Sequence, residues 1–151
     1  QRLLGLDIGR KTIGLALSDA GLKIASPVKI LYRTKFTPDV ESLFKLIDDK
    51  SVGGLVLGWP VNMDGSIGPR CDSVRDFAHA LMKIRDVPIV FHDERLSTRA
   101  VESTMIAAGM TRAKRAARRD ALAGCWILQS ALDVIHDETA RNQATSPSID
   151  N

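Results

Sequence analysis

The apolar positions of the chain follow two periods, and the change from one to the other predicts its architecture. Leu3 to Ile8 and Thr12 to Ser18 are short runs of aliphatic residues and glycine that read as strands. They are joined as a hairpin by Gly9-Arg10-Lys11, where Gly9 can supply a backbone angle closed to other residues. A third strand is expected within Ile24 to Tyr32, with Pro27 putting its start at a sheet edge or a bulge. The spacing then becomes helical: Val40, Leu43, Phe44 and Ile47 make a stripe, with Thr37 as N-cap, Pro38 at the first helical position and an end near Lys50. Gly53 to Gly58 and Val87 to Phe91 are continuous apolar runs of the kind buried on both faces in parallel pairs. A helix from Asp72 to Ile84 between them makes a right-handed crossover. Ser97 or Thr98 caps a further helix ending at Gly109, and a last long helix is expected from about Arg118 to Asp137. Three antiparallel strands followed by alternating helices and strands imply an α/β, three-layer fold with a mixed five-stranded sheet flanked by helices. One domain over residues 1–138 accounts for the pattern, and the polar tail 139–151 is expected to be disordered.

One position breaks the apolar pattern. Asp7 sits within Leu3-Leu4-Gly5-Leu6-Asp7-Ile8-Gly9, where alternation points it into the interior. A buried lone carboxylate costs several kcal/mol unless a cation or hydrogen-bond donors compensate it, so Asp7 marks a metal or phosphate site in preference to a simple turn aspartate. Asp93 and Glu94 end the last strand, at the carboxyl edge where open sheets place chemistry. Asp120 shares a helix face with Gly124, Ile127 or Leu128, Ala131 and Ile135. Taken alone, it reads equally well as an acid placed near a helix N-terminus. The small residues Ala121, Ala123 and Gly124 allow that helix to approach the sheet closely and bring Asp120 towards Asp7 and Glu94. Glu94 is the preferred third acid, with Asp93 as the alternative, because adjacent strand residues point to opposite faces.

Such a cluster of oxygen ligands, with no Cys or His cluster, favours Mg²⁺ or Mn²⁺ over zinc. The chemistry it suits is phosphoryl transfer, in which two ions activate a water and stabilise the departing oxygen of a phosphodiester.

Charge adds a partner to this picture. The net charge of +3 is mild, but five of the eight residues from Arg112 to Arg119 are basic, namely Arg112, Lys114, Arg115, Arg118 and Arg119. That block reads equally as a solvated face or a nucleic-acid contact, and its place beside Asp120 shifts the balance to the latter. Lys11, Arg10 and Arg95 stand near the acids as further phosphate contacts, and Asn62 to Gly68 reads as a mobile loop suited to substrate. His92 adjoins the acids but belongs to no triad, so it reads as a strand-end histidine without catalytic duty. The two cysteines, Cys71 and Cys125, form no CxxC or Cys/His pattern and are expected as reduced thiols. No run approaches the length of a membrane span, so neither membrane nor secretion is indicated and the cytoplasm is the expected compartment.

Three segments carry a resemblance. Asp7-Ile8-Gly9-Arg10-Lys11-Thr12-Ile13-Gly14-Leu15-Ala16-Leu17-Ser18-Asp19, Gly58-Trp59-Pro60-Val61-Asn62-Met63-Asp64-Gly65-Ser66 and His92-Asp93-Glu94-Arg95-Leu96-Ser97-Thr98 resemble the YqgF/RuvX family of bacterial nucleases. The resemblance runs from Leu3 to about Asp137 and implies the ribonuclease H-like fold, with Asp7, Glu94 and Asp120 as the metal-binding acids. It also implies an endonuclease that matures the 5′ end of the small-subunit ribosomal RNA precursor or resolves Holliday junctions. Resolution of a four-way junction would need a homodimer with two active sites. Trp59 departs from the pattern, standing where a smaller aliphatic residue is expected, and the basic block before Asp120 is unusually rich.

Two other classes compete. An actin-like or sugar-kinase ATPase also uses an Asp-Ile-Gly hairpin, but it clamps ATP between two such domains and 151 residues supply one. A non-catalytic nucleic-acid-binding or ribosome-assembly factor needs no acids, whereas all three positions here are acidic.

Overall fold

Seven-residue strands β1 (Arg2–Ile8) and β2 (Thr12–Ser18) pair antiparallel, with Leu4 opposite Leu17 and Asp7 opposite Gly14. The computed structural model describes residues 1–62, 64–95, 109 and 111–145, with the backbone alone over 115–121 and 139–145. The hairpin turn closes through the Gly9 N–H donating to the Thr12 carbonyl at 2.9 Å. Gly9 does not use the left-handed region expected of it, since among the described glycines only Gly65 and Gly109 have positive φ. What position 9 requires is room, because a Cβ there would lie 3.1 Å from the Thr12 carbonyl oxygen.

β3 (Ala25–Tyr32) forms the outer edge on β2, and its register slips where Ala16 faces Pro27, a bulge at the proline. Helix α1 (Phe36–Asp49) begins before Thr37, with Lys35 in the capping position and no side-chain cap there. The expected Thr37 cap is displaced because buried Asp39 reaches back instead, accepting from the Thr34 N–H at 3.2 Å and the Thr34 hydroxyl at 3.1 Å. Pro38 still falls in the first turn, where the missing N–H has no helical partner to lose.

β4 (Val52–Trp59) pairs parallel with β1, α2 (Pro69–Ile84) follows, and β5 (Ile89–Asp93) pairs parallel with β4, giving the order β3-β2-β1-β4-β5. Alternation sorts the strands' side chains between two cores. Leu4, Leu6, Ile8, Leu55 and Leu57 meet Val40, Leu43 and Ile47 of α1 and Val74, Phe77 and Leu81 of α2. Ala16 and Val56 meet Ile127, Leu128, Ala131 and Leu132 of the last helix on the opposite face. Helices on both faces explain why β1 and β4 are apolar almost throughout.

That last helix, α3 (Arg112–Thr145), is longer at both ends than the spacing predicts. Thr111 caps it, its hydroxyl accepting from the Lys114 N–H at 3.2 Å, so the basic block is helical. At the other end the backbone over 139–145 is helical where a disordered tail is expected, and Pro147, which disfavours helix at the residue before it, comes only afterwards. Residues 146–151 and the helix expected from Ser97 or Thr98 lie outside the described residues, while Gly109 at that helix's expected end has φ 76°. No described helix is long and apolar enough to cross a membrane.

Candidate active site

Glycine sets how closely α3 lies on the sheet. A Cβ on Gly124 would stand 2.6 Å from the Gly14 carbonyl oxygen, and one on Gly5 2.7 Å from Leu128 Cβ. Helix and strands therefore touch backbone to backbone, the close approach the small residues predict. Asp7 faces this side of the sheet, since a Cβ on its partner Gly14 would lie 3.7 Å from both Asp7 Cβ and the Gly124 nitrogen. Position 120 lies one helical turn before Gly124 on the same face of α3, at the end of the sheet that carries Asp7.

Glu94 follows directly on β5 and folds its side chain back over β4. Its carboxylate lies against Gly58, where any Cβ would collide with Glu94 Oε1 and stand 2.6 Å from Ile127 Cδ1. Gly58 is thus the floor of the site, a role its place in an apolar strand does not announce.

Burial pushes the Glu94 carboxyl up to about 7, and the Asp7 charge adds to the shift. The Arg70 guanidinium opposes it, while a hydrogen bond between the Glu94 and Asp7 carboxyls and the Asp93 charge raise it further. Two acids share one partly buried space, and burial together with the Asp7 charge lets Glu94 hold its proton up to about pH 7.

Asp93 is engaged elsewhere. It accepts from the Arg95 N–H at 2.9 Å and holds the guanidinium through Nε at 3.1 Å and Nη2 at 2.7 Å, which keeps its carboxyl below the usual range. Of the two acids, Glu94 is the one that meets Asp7, while Asp93 is taken up by Arg95. His92 lies half-buried on the α3 side, its Nε2 within 2.9 Å of Ser130 Oγ, and burial lowers its pKa. It ties β5 to α3, in keeping with a structural role.

A pocket of about 350 Å³ opens beside Glu94 and is lined by Asn62, Gly68, Arg70 and Arg95 among others. The structure thus brings the predicted Asn62, Glu94 and Arg95 together. The loop is tied to itself: Asn62 Nδ2 donates to Ser66 Oγ at 2.9 Å, the Gly65 N–H to the Asn62 carbonyl at 2.8 Å, and Gly65 has φ 88°. Met63 lies outside the described residues. Arg70, at the first turn of α2, is the functional candidate that the sequence reading misses. Lys11 is exposed at the hairpin turn, Arg112 and Lys114 are exposed at the start of α3, and the side chains of Arg115, Arg118, Arg119 and Asp120 lie outside the described residues.

Among the described residues no group of three His, Cys, Asp or Glu side chains gathers to hold a metal. The described donors are the Asp7 and Glu94 carboxylates, hard oxygens whose mutual repulsion a divalent cation would relieve, so the residues present fit Mg²⁺ or Mn²⁺.

Trp59 packs on Phe91, ring centres 4.9 Å apart, beside the core shared with α1 and α2. Cys71 is fully buried, and half-buried Cys125 donates its thiol to the Ala25 carbonyl at 3.3 Å; both are free.

The mixed sheet in this strand order, covered by helices on both faces and carrying acids at the ends of β1 and β5, is a ribonuclease H-like fold. T. thermophilus RuvC, solved in complex with a Holliday junction substrate, shares it with a TM-score of 0.57 at 14% identity, over 91% of this chain and 96% of that one. The family model described as "RuvX: Holliday junction resolvase" matches residues 1–134, and the chain belongs to that family. A Paramagnetospirillum magneticum protein named "Putative pre-16S rRNA nuclease" is 56% identical over 133 residues, 88% of this chain and 86% of its own length. A Phenylobacterium zucineum protein of the same name is 53% identical, with 87% and 85% covered.

Proposed function

We propose that the protein is a divalent-metal-dependent endonuclease acting on structured RNA or branched DNA, either at the 5′ end of pre-16S ribosomal RNA or at Holliday junctions. Family membership makes the chain a nuclease, a hydrolase of phosphodiester bonds. The observation that carries the metal-dependent reading is the partly buried Asp7–Glu94 pair, which a folded chain keeps at a cost unless a cation belongs there.

Asp7, Glu94 and Asp120 are the acids that would hold Mg²⁺ or Mn²⁺. When bound there, such ions would supply Lewis acidity to activate water and stabilise the departing oxygen. Asn62 and Arg95 face the same pocket and orient the substrate there, with Arg95 braced by Asp93. Arg112 and Lys114 stand in the first turn of α3 without an acid, at the end where the helix dipole disfavours cations. A nucleic-acid phosphate relieves that repulsion, and Arg115, Arg118 and Arg119 continue the basic run along the same helix. Lys11 adds a backbone contact at the hairpin turn. Resolution of a junction by two symmetric cuts would take a homodimer.

The test is cleavage of a four-way DNA junction and of a pre-16S RNA fragment side by side in Mg²⁺, Mn²⁺ and EDTA. Cutting with either ion and none in EDTA is expected, and the faster substrate identifies the target. Binding of both without cutting of either would overturn the nuclease and favour a binding factor.

Gly58→Ala separates site from fold. The new methyl meets the movable ends of Glu94 and Ile127, so stability should fall by only about 1 kcal/mol while Glu94 is displaced. Cleavage is expected to drop at least about tenfold with the melting temperature only slightly lowered. Full activity in that variant would remove Glu94 from the site.

A further inference from the structure

A second pocket, of about 470 Å³, lies between the β1–β2 turn and the start of α2, where Gly9, Arg10, Arg33, Arg70 and Ser73 contribute to its wall. Three arginines line it and, among the described residues, no carboxylate does. Arg33 is held in place: its Nη1 donates to the Gly9 carbonyl at 2.7 Å, and its guanidinium lies 5.5 Å from the centre of the Phe77 ring. A guanidinium carries five N–H donors, so most of Arg33's remain for a ligand. Pro69 and Arg70 border this pocket and also the one beside Glu94, so the two are neighbours at the first turn of α2.

Resting on the nuclease reading above, we infer that the arginine pocket seats a backbone phosphate of the cut strand, adjacent to the bond that is cleaved. A phosphodiester of a bound strand is favoured over a free anion because the pocket shares Pro69 and Arg70 with the one beside Glu94, so a strand seated in one lies next to the other. Guanidiniums lining one pocket recognise phosphoryl oxygens by charge-assisted, forked hydrogen bonds. The pocket thereby fixes the register of the strand across Asp7 and Glu94, a positioning role that base identity does not enter.

The experiment scans the strand with single neutral methylphosphonate linkages in the four-way junction and in the pre-16S fragment. Binding to the Asp7→Asn protein is read by fluorescence anisotropy in Mg²⁺, with and without Arg10→Gln, and wild-type cleavage of the unmodified substrates is followed in parallel. Arg10 is exposed at the hairpin turn, so its replacement leaves the fold intact. One linkage next to the cut should weaken binding about tenfold when neutralised. Arg10→Gln should cause a similar loss and lower the salt slope by about one. Combining the two should add nothing further, whereas neutral linkages elsewhere should remain additive with Arg10→Gln.

Additive losses at every linkage would overturn the assignment. Competition by inorganic phosphate together with such additivity would make the pocket a free-anion site and would overturn it equally. A wild type that cuts while Arg10 couples to no linkage removes the pocket alone. Coupling at one linkage without any cutting removes the nuclease reading and leaves the pocket. Failure to bind either polymer overturns both.

Discussion

Replacement of Asp7 by asparagine is expected to reduce cleavage by at least about 10³-fold, the scale on which loss of a central electrostatic group acts, while leaving the protein folded. The same change should stabilise the metal-free protein at alkaline pH. Glu94 is pushed up to about 7 by burial first and by the Asp7 charge next, against an ordinary value of 4.5. Because its folded value lies above its unfolded one, its contribution to stability is fully present below about 4.5 and is lost as pH rises through about 7. The Asp7→Asn change removes the charge that drives part of that loss, worth on the order of 1 kcal/mol. Thermal melts in EDTA should therefore show the variant and the wild type alike at pH 4.5 and the variant a few degrees higher at pH 8. Mg²⁺ should raise the wild type more than the variant at pH 8, where the cation no longer competes with the Glu94 proton. Undiminished cleavage by the variant would remove Asp7 from the reaction, and a variant less stable at pH 8 would mean that the acid pair is not under repulsion.

Asp7 is legible in the sequence because strand alternation alone turns it inward from an aliphatic run, and the order of elements then predicts a mixed sheet with helices on both faces. The pairing of Asp7 with Glu94 in place of Asp93 follows from contacts that spacing does not contain: Asp93 holds Arg95, and Glu94 folds back over Gly58. Arg33 and Arg70 carry no local signal. One follows an edge strand and the other opens a helix, and only the folded sheet brings them to the same wall. The start of α1 is misjudged because Asp39 reaches backwards to Thr34, which competes with the forward cap that Thr37 suggests. α3 begins earlier than its apolar stripe because Thr111 caps it and a run of good helix formers follows, starting with the exposed Arg112 and Lys114, where hydrophobic spacing says nothing.

Gly124→Ala is expected to have the largest effect on stability, although in an exposed helix the same change would gain up to about 1 kcal/mol from propensity. The added Cβ would stand 2.6 Å from the Gly14 carbonyl oxygen and 3.0 Å from its carbon, and these are backbone atoms of a strand paired on both sides. No side chain can rotate to make room, so α3 must lift from the sheet. Leu128 and Leu132, both fully buried against that face, lose contact as it does. A net loss of about 2–3 kcal/mol follows, lowering the melting temperature by roughly 4–10 °C. Gly21→Ala is the control, since a Cβ there meets only Asp19 Oδ2 at 3.5 Å. Lifting α3 also carries position 120 away from Asp7, so cleavage should fall even at temperatures where the variant remains folded. A melting temperature unchanged or raised by Gly124→Ala would show that helix and sheet are not in backbone contact, and the expected approach of position 120 to Asp7 would fall with it.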